Sequence, residues 1–513
     1  MISQAQAQGI LTDHENYELS TQLLAGKLIP FWMRANQYGI IPKQASILQA
    51  SFQISSDYQQ ASKTRSYLRS RPLDWGYGLQ IVGNLGAKQQ LLLPEAYLKA
   101  RLGKAEFYMG KRKELFGLAD STLGTGPYAW SGNAMPVPKI QIGFPNWTPI
   151  GGGTIAFQAI IAHGWLDEQD AFVRKVNLHQ KTVYLRIGKS AAFQAFFGIN
   201  HQVQWGGYAP SLQTGGSLSV NPDKNLFFES DGHLPQDASA FWSIFKGQRT
   251  NQSHYNPYDA QEWVGNHLGS VDMAVQIQNN HQRLFIYRQQ PFDMPSILHL
   301  ANWQDGLTGI SLTTNDSDYP DFCFRKLVFE WLYTKNQGRT GPLWGSGLTW
   351  TENYFNSRQY LQGWSYHHHT IGTPFISSVT DHASNQPSAT MFSTLPFFTN
   401  ANQLSVFHLG FEASVHQDWY WSGKISYTHS TGADQAEFKS HQTSLLLSLK
   451  RQIWFLRGSE IQATIAADLG TLYPTSAAFS IGIRKKWGFM DENISFDKKY
   501  RLHYRKRNKN SRF

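Results

Sequence analysis

Residues 407–415 read FHLGFEASV, and they alternate throughout. Phe407, Leu409, Phe411, Ala413 and Val415 take one parity; His408, Gly410, Glu412 and Ser414 take the other. Successive side chains of a strand point to opposite faces, so this period of two predicts a strand with one apolar and one polar face. Leu48, Ala50, Phe52 and Ile54 alternate in the same way with Gln49, Ser51, Gln53 and Ser55. The pattern returns at 75–82, 193–200, 271–278, 327–334 and 479–484. Several apolar faces end in aromatics, as with Trp331 and Tyr333 or Trp419 and Trp421.

Two architectures produce such a chain. A β-sandwich buries one face per sheet and would need several cores over this length. A transmembrane barrel turns the apolar face to lipid and the polar face to its lumen, with aromatics at both interfaces. The polar faces here keep Gln, Asp, Glu, His and Arg, and no linker interrupts the strands, which favours the barrel. Aromatics make up 14% of the 513 residues and charged residues only 16%, against about 25% in typical domains. A mean hydropathy of −0.41 is compatible, because only half of each strand need be apolar. No run of about 18 apolar residues predicts a membrane-crossing helix. At ~9–11 residues per spanning strand, roughly 14 to 18 strands fit, leaving much of the chain for loops and plugs.

The richest loops are 206–266 and 336–375. A third stretch, RKELFGLADSTLGTGPYAWSGNAMPVPKIQIG at 112–143, has a single charge, Asp120, between Leu115 and Val137. Loops of this length are usually functional or disordered. Leu115, Phe116, Tyr128, Trp130 and Met135 supply too much apolar mass for a disordered linker. The segment fits two placements, inward as part of a lumen plug or outward as a glycan-contacting loop.

Nine segments in order resemble the Wzi family of outer-membrane capsule-assembly proteins in its Bacteroidetes-like form. They include PFWMRANQYGIIP (30–42), GKRKELFGLADSTLGTG (110–126), WSGNAMPVPKIQIGFPNWTPI (130–150), FGINHQVQWGG (197–207), YNPYDAQEWVGNHLGSVD (255–272) and GWSYHHHTIGTPF (363–375). The resemblance spans about residues 28–490. It implies an all-β, transmembrane antiparallel β-barrel of about 18 strands with long extracellular loops and an internal plug. The implied function is that of a non-enzymatic lectin-like barrel, which binds capsular polysaccharide or exopolysaccharide and helps assemble or attach it at the cell surface. The alternative on the same fold is a porin-like channel for saccharides or anionic solutes. The expected organisation is an N-terminal periplasmic or plug-forming segment (1–45), the barrel with inserted loops (46–490) and a basic tail (491–513).

Sugar recognition needs flat apolar faces beside amides and carboxylates. Tyr255, Tyr258, Asp259, Trp263 and Asn266 in one run, with Trp205, Trp364 and Tyr366, are the candidate carbohydrate contacts. The competing reading is loop packing for the run and an interfacial belt for the other aromatics. His367, His368 and His369 invite a metal, but strand neighbours face opposite ways and no Cys or carboxylate pair completes a site. In YTHSTG (427–432), His429 and Ser430 are adjacent and so diverge on a strand, which opposes a catalytic pair. No catalytic residue, metal or cofactor is therefore expected. Cys323 is the lone cysteine, so an internal disulfide is excluded. Lumen-side His408, Glu412, Asp272, Lys326, Glu330 and Arg484 either pair to close a pore or line a path through it. The net charge of +10 and the tail KKYRLHYRKRNKNSR (498–512) suit outer-membrane lipid and lipopolysaccharide phosphates. No motif points to nucleic acid. The expected location is the cell outer membrane. Ala5-Gln6-Ala7 resembles the end of a cleavage site, with the remainder of a signal peptide expected upstream.

Overall fold

The computed structural model describes residues 16–487, apart from 45, 59–72, 167, 169–171, 213–230, 249–262, 294–300, 315–321, 340–351, 387–389, 392–394, 416–418, 434–435, 454 and 457. Eighteen strands form one antiparallel sheet, numbered here in chain order. The first nine are β1 Asn16–Gly26, β2 Ile47–Ser56, β3 Leu73–Gly86, β4 Gln90–Leu102, β5 Ala105–Lys111, β6 Lys139–Ile150, β7 Ile155–Leu166, β8 Val176–Ile187 and β9 Phe193–Trp205. The rest are β10 Asn266–Gln278, β11 Gln282–Asp293, β12 Gly306–Thr314, β13 Phe322–Tyr333, β14 Leu404–Val415, β15 Trp419–Ala433, β16 Ala436–Gln452, β17 Ser459–Gly470 and β18 Ser476–Trp487.

Each strand pairs with its neighbours in the chain, and β1 pairs with both β2 and β18, from Tyr17↔Trp487 to Gly26↔Ala478. The sheet closes and leaves no edge, which is what lets a β-structure satisfy its backbone in lipid. Among the described residues the helices are short, and none is long and apolar enough to cross a membrane. The barrel therefore begins at Asn16 rather than at 46. The segment set apart as 1–45 contributes the closing strand, because Leu19, Thr21 and Leu23 continue the outward parity.

Parity sorts the wall as the alternation requires. Leu48, Phe52, Trp75, Phe197, Met273, Phe329, Phe407, Leu409 and Ile481 are exposed on the outer face. Gln49, Asn200, Asp272, Glu330 and His408 are buried on the inner one. The rim that carries both described ends has mostly tight turns, such as 103–104, 151–154 and 279–281. The opposite rim sends out the long connections 27–46, 112–138, 206–265 and 334–403.

The main hydrophobic core lies inside the barrel, where those long connections pack on inward strand residues such as Tyr184, Phe196 and Tyr287 and on Tyr473. Helix α1, Phe31–Arg34, places Phe31 4.8 Å from Phe375 and 5.6 Å from Tyr473, ring to ring. Tyr128 packs against Phe355 at 5.2 Å, and the Trp364 indole N–H donates to the Ala129 carbonyl at 2.8 Å. The segment 112–138 thus folds inward.

Candidate functional site in the plugged lumen

A buried loop has backbone donors and acceptors that water cannot reach, so each needs a partner. The inward side chains of the wall provide them. Asp272 accepts from the Leu118 amide at 2.8 Å, Glu330 from the Thr125 amide at 2.5 Å and Gln289 from the Tyr128 amide at 2.8 Å. His408 Nε2 donates to the Leu123 carbonyl at 2.7 Å, and Asn200 Nδ2 to the Phe116 carbonyl at 3.3 Å. Asp120 caps its own turn through the Thr122 and Leu123 amides and pairs with Lys326. Four of the six lumen charges singled out from sequence (His408, Asp272, Lys326 and Glu330) hold the plug rather than one another. Glu412 faces Lys326 across the β13–β14 pairing, and Arg484 pairs with Glu460 at 2.5 Å.

Close packing shapes the chain locally. A Cβ on inward Gly410 of β14 would lie 2.7 Å from the Leu123 carbonyl oxygen, and one on Gly124 2.6 Å from the Glu330 carboxylate. Glycine at these two positions lets plug and wall approach. Electrostatics secure the contact. Burial pushes the Asp120 carboxyl up, but Lys326 and the Leu123 and Thr122 amides outweigh it and hold it at about 2. Glu114 behaves alike: burial raises it, and Lys139 and Arg112 bring it down to about 2.

Towards the short-turn rim, Gly117–Ser121 of the plug floor a narrow, open-sided cleft with a cavity volume of about 40 Å³. Its wall carries Trp147, Gln158, Gln276 and Arg283. Trp147 reaches the lumen because the β6–β7 register shifts between Phe144 and Thr148, an irregularity over Pro145–Trp147. Its ring packs 5.5 Å from inward Phe196, and the Arg186 guanidinium sits over it at 5.6 Å. Arg186 Nε has no hydrogen-bond partner among the described residues. A flat ring, two amides and Arg283 line the cleft, and Arg186 lies over the ring; these are the group types that ring faces, hydroxyls and acidic substituents of a saccharide require. Sequence reasoning missed this site. The signal was FPNWTP at 144–149, two prolines inside a strand pattern, which mark a bulge.

The predicted contacts do not converge. Trp364 and Tyr366 are buried in the plug, with ring faces spent on packing, which corrects their reading as sugar contacts. Trp205 faces outward on β9 and is buried beneath a loop helix, so it too lacks a free face. Trp263 lies edge-on to His267 at 5.5 Å, and Asn266 Nδ2 donates to Gln204 Oε1 at 2.9 Å. Tyr255, Tyr258 and Asp259 lie outside the described residues. The histidine run forms a hairpin: Ser365–Tyr366 pair with His369–Thr370, and His367 and His368 take the turn at φ 50° and 63°. His367 and His369 therefore do not lie on one strand. His429 lies 2.6 Å from Lys335 Nζ, and Ser430 is buried on the other face of β15.

No family model and no curated relative matches this chain. Among solved structures it is similar to Wzi, described as an outer membrane protein involved in group 1 capsule assembly in Escherichia coli and as a carbohydrate-binding β-barrel. The identity is 10% and the TM-score 0.56, over 94% of this chain and 86% of that one. It also aligns with Acinetobacter baumannii OccAB4 at 9% identity and TM-score 0.44, over 93% and 98% of the two chains. Pseudomonas aeruginosa OprD aligns at 8% and 0.43, over 93% and 96%. At such identities the likeness to Wzi shows the fold alone: a closed outer-membrane-type barrel.

Proposed function

We propose that this chain is an outer-membrane barrel that binds surface polysaccharide and helps assemble or attach it, as a distant member of the Wzi family. The observation that carries the reading is Trp147, turned into a plugged lumen with Arg186 stacked on it and Arg283 in the same cleft. The ring would take a sugar C–H face, Gln158 and Gln276 its hydroxyls, and the two guanidiniums a carboxylate or other acidic substituent. No bond is made or broken in this role. The likeness in fold to a carbohydrate-binding barrel supports it, and the wired plug favours retention over free passage. Repeated units of a polymer would add avidity to a modest single site.

Titration of the purified barrel with defined acidic and neutral oligosaccharides tests this. Trp147→Ala should weaken binding about tenfold, equivalent to about 1.4 kcal/mol. Arg186→Gln should weaken acidic ligands more than neutral ones. Binding unchanged in both variants would remove the cleft from the proposal.

A further inference from the structure

The outward faces of β7 to β10 become polar before they reach the long-loop rim. On β7 the apolar run Ile155, Phe157, Ala159 and Ile161 gives way to His163. On β8, Val183, Leu185 and Ile187 are preceded by His179 and Lys181. On β9 the run Phe193 to Ile199 is followed by His201, and on β10 Val271 is preceded by Gly269 and His267. Apolar runs of five to seven residues fall short of the ~9–11 a tilted strand needs to span. Trp165, outward and exposed one step beyond His163, marks the interface level, so the polar patch lies within the apolar slab. Histidine and lysine facing lipid there would be costly.

A helix from the 206–265 connection covers this patch from outside. Helix α2, Ala238–Lys246, starts at Asp237, whose side chain accepts from the Ala240 amide at 2.8 Å, and stops at left-handed Gly247. Ala240 and Ile244 pack on outward Val203 and Trp205 together with Val264. The His179 ring lies 5.9 Å from both Phe241 and Phe245. Lys181 Nζ donates to the Phe245 carbonyl at 2.6 Å, where a cation also complements the helix C-terminus. His179, His201 and His267 are consequently buried, though they sit on the outer wall. The side of α2 away from the wall presents Trp242, 53% exposed, and Phe245, 38% exposed, flanks it.

We infer that α2 is a membrane-inserted helix that completes the lipid-facing band over β7–β10, and that the bilayer leaflet at the long-loop rim occupies its Trp242–Phe245 face. Continuity argues for lipid as the occupant. The helix covers five polar outward side chains and presents an apolar surface in their place, on the same strands whose Val183, Leu185, Phe197 and Ile199 are exposed on the outer face. Lys246 in its last turn is exposed beside this face, as expected of an interfacial helix whose cation reaches the headgroups.

The full chain carrying Cys323→Ser, with one cysteine at Trp242→Cys, Phe245→Cys or Ser384→Cys, provides the test. Each variant is labelled with a nitrobenzoxadiazole probe in phosphatidylcholine vesicles, and quenching by doxyl-lipid is compared with quenching by iodide. Ser384, exposed within the 334–403 connection, is the solvent reference. Heat-modifiable gel mobility verifies that each variant is folded. Probes at 242 and 245 should be quenched severalfold more by doxyl-lipid than the probe at 384, and severalfold less by iodide. Iodide quenching equal to that at 384 would overturn the inference. Shielding from both quenchers would also overturn it, since it would mean that protein covers this face.

Discussion

Asp120 ties the plug to the wall through charge, and its titration makes that tie visible. Its carboxyl and that of Glu114 are held at about 2, below ordinary carboxylate values of about 4. Depressed values mean that the stabilisation is complete above the unfolded range and is lost as pH falls from about 4 towards 2. Asp305 works the other way. Burial pushes it up to about 6 despite the Tyr354 hydroxyl and the Gln337 and Asn336 amides. It therefore favours the fold at low pH, a contribution lost as pH rises through 6. Comparison with a variant isolates the first effect. The near-ultraviolet circular dichroism of the packed plug aromatics should fall between about pH 4 and pH 2 in the parent. Asp120→Asn should show lower stability at pH 7 and a shallower acid transition. An identical acid profile in the variant would contradict the role given to Asp120.

Strand and plug meet through absent side chains as much as through hydrogen bonds. Gly410→Val would drive a branched side chain into the Leu123 backbone, 2.7 Å from the position of its Cβ. Such overpacking costs about 1–3 kcal/mol, read as a lower midpoint of thermal unfolding in detergent. A midpoint within error of the parent would show that the plug does not press on β14. At this scale the strands were legible, because a period of two leaves its mark at every position: all seven alternating segments face as their parity requires. The elements on which the proposals rest were less so. Helix α2 offers one nine-residue stretch, ASAFWSIFK, inside a long connection, and nothing local says that it lies against the outer wall. Trp147 was hidden for a related reason, since a bulge reverses the parity on which the reading relied. Trp364 and Tyr366 read as sugar platforms because they are aromatics in a long loop. An aromatic that packs a plug looks the same in sequence, and only tertiary contacts separate the two.

For the molecule as a whole, the closed wall, the outward apolar band and the inward polar face follow from one pattern read across eighteen strands. The plug explains why the inner face is polar. Asp272, Glu330, Gln289, Asn200 and His408 serve the backbone of 112–138, which enters from the long-loop rim and cannot be hydrated where it lies. These bonds distribute the plug's attachment around the barrel, through β9, β10, β11, β13 and β14, so no single contact releases it. The role proposed for this arrangement is to hold a saccharide against the plug instead of passing it through. Single-channel recording of the full chain in a planar bilayer tests that claim most directly. The bilayer should stay silent at neutral pH under a steady potential. Long-lived conductance steps that saccharide reversibly blocks would contradict it and establish a channel.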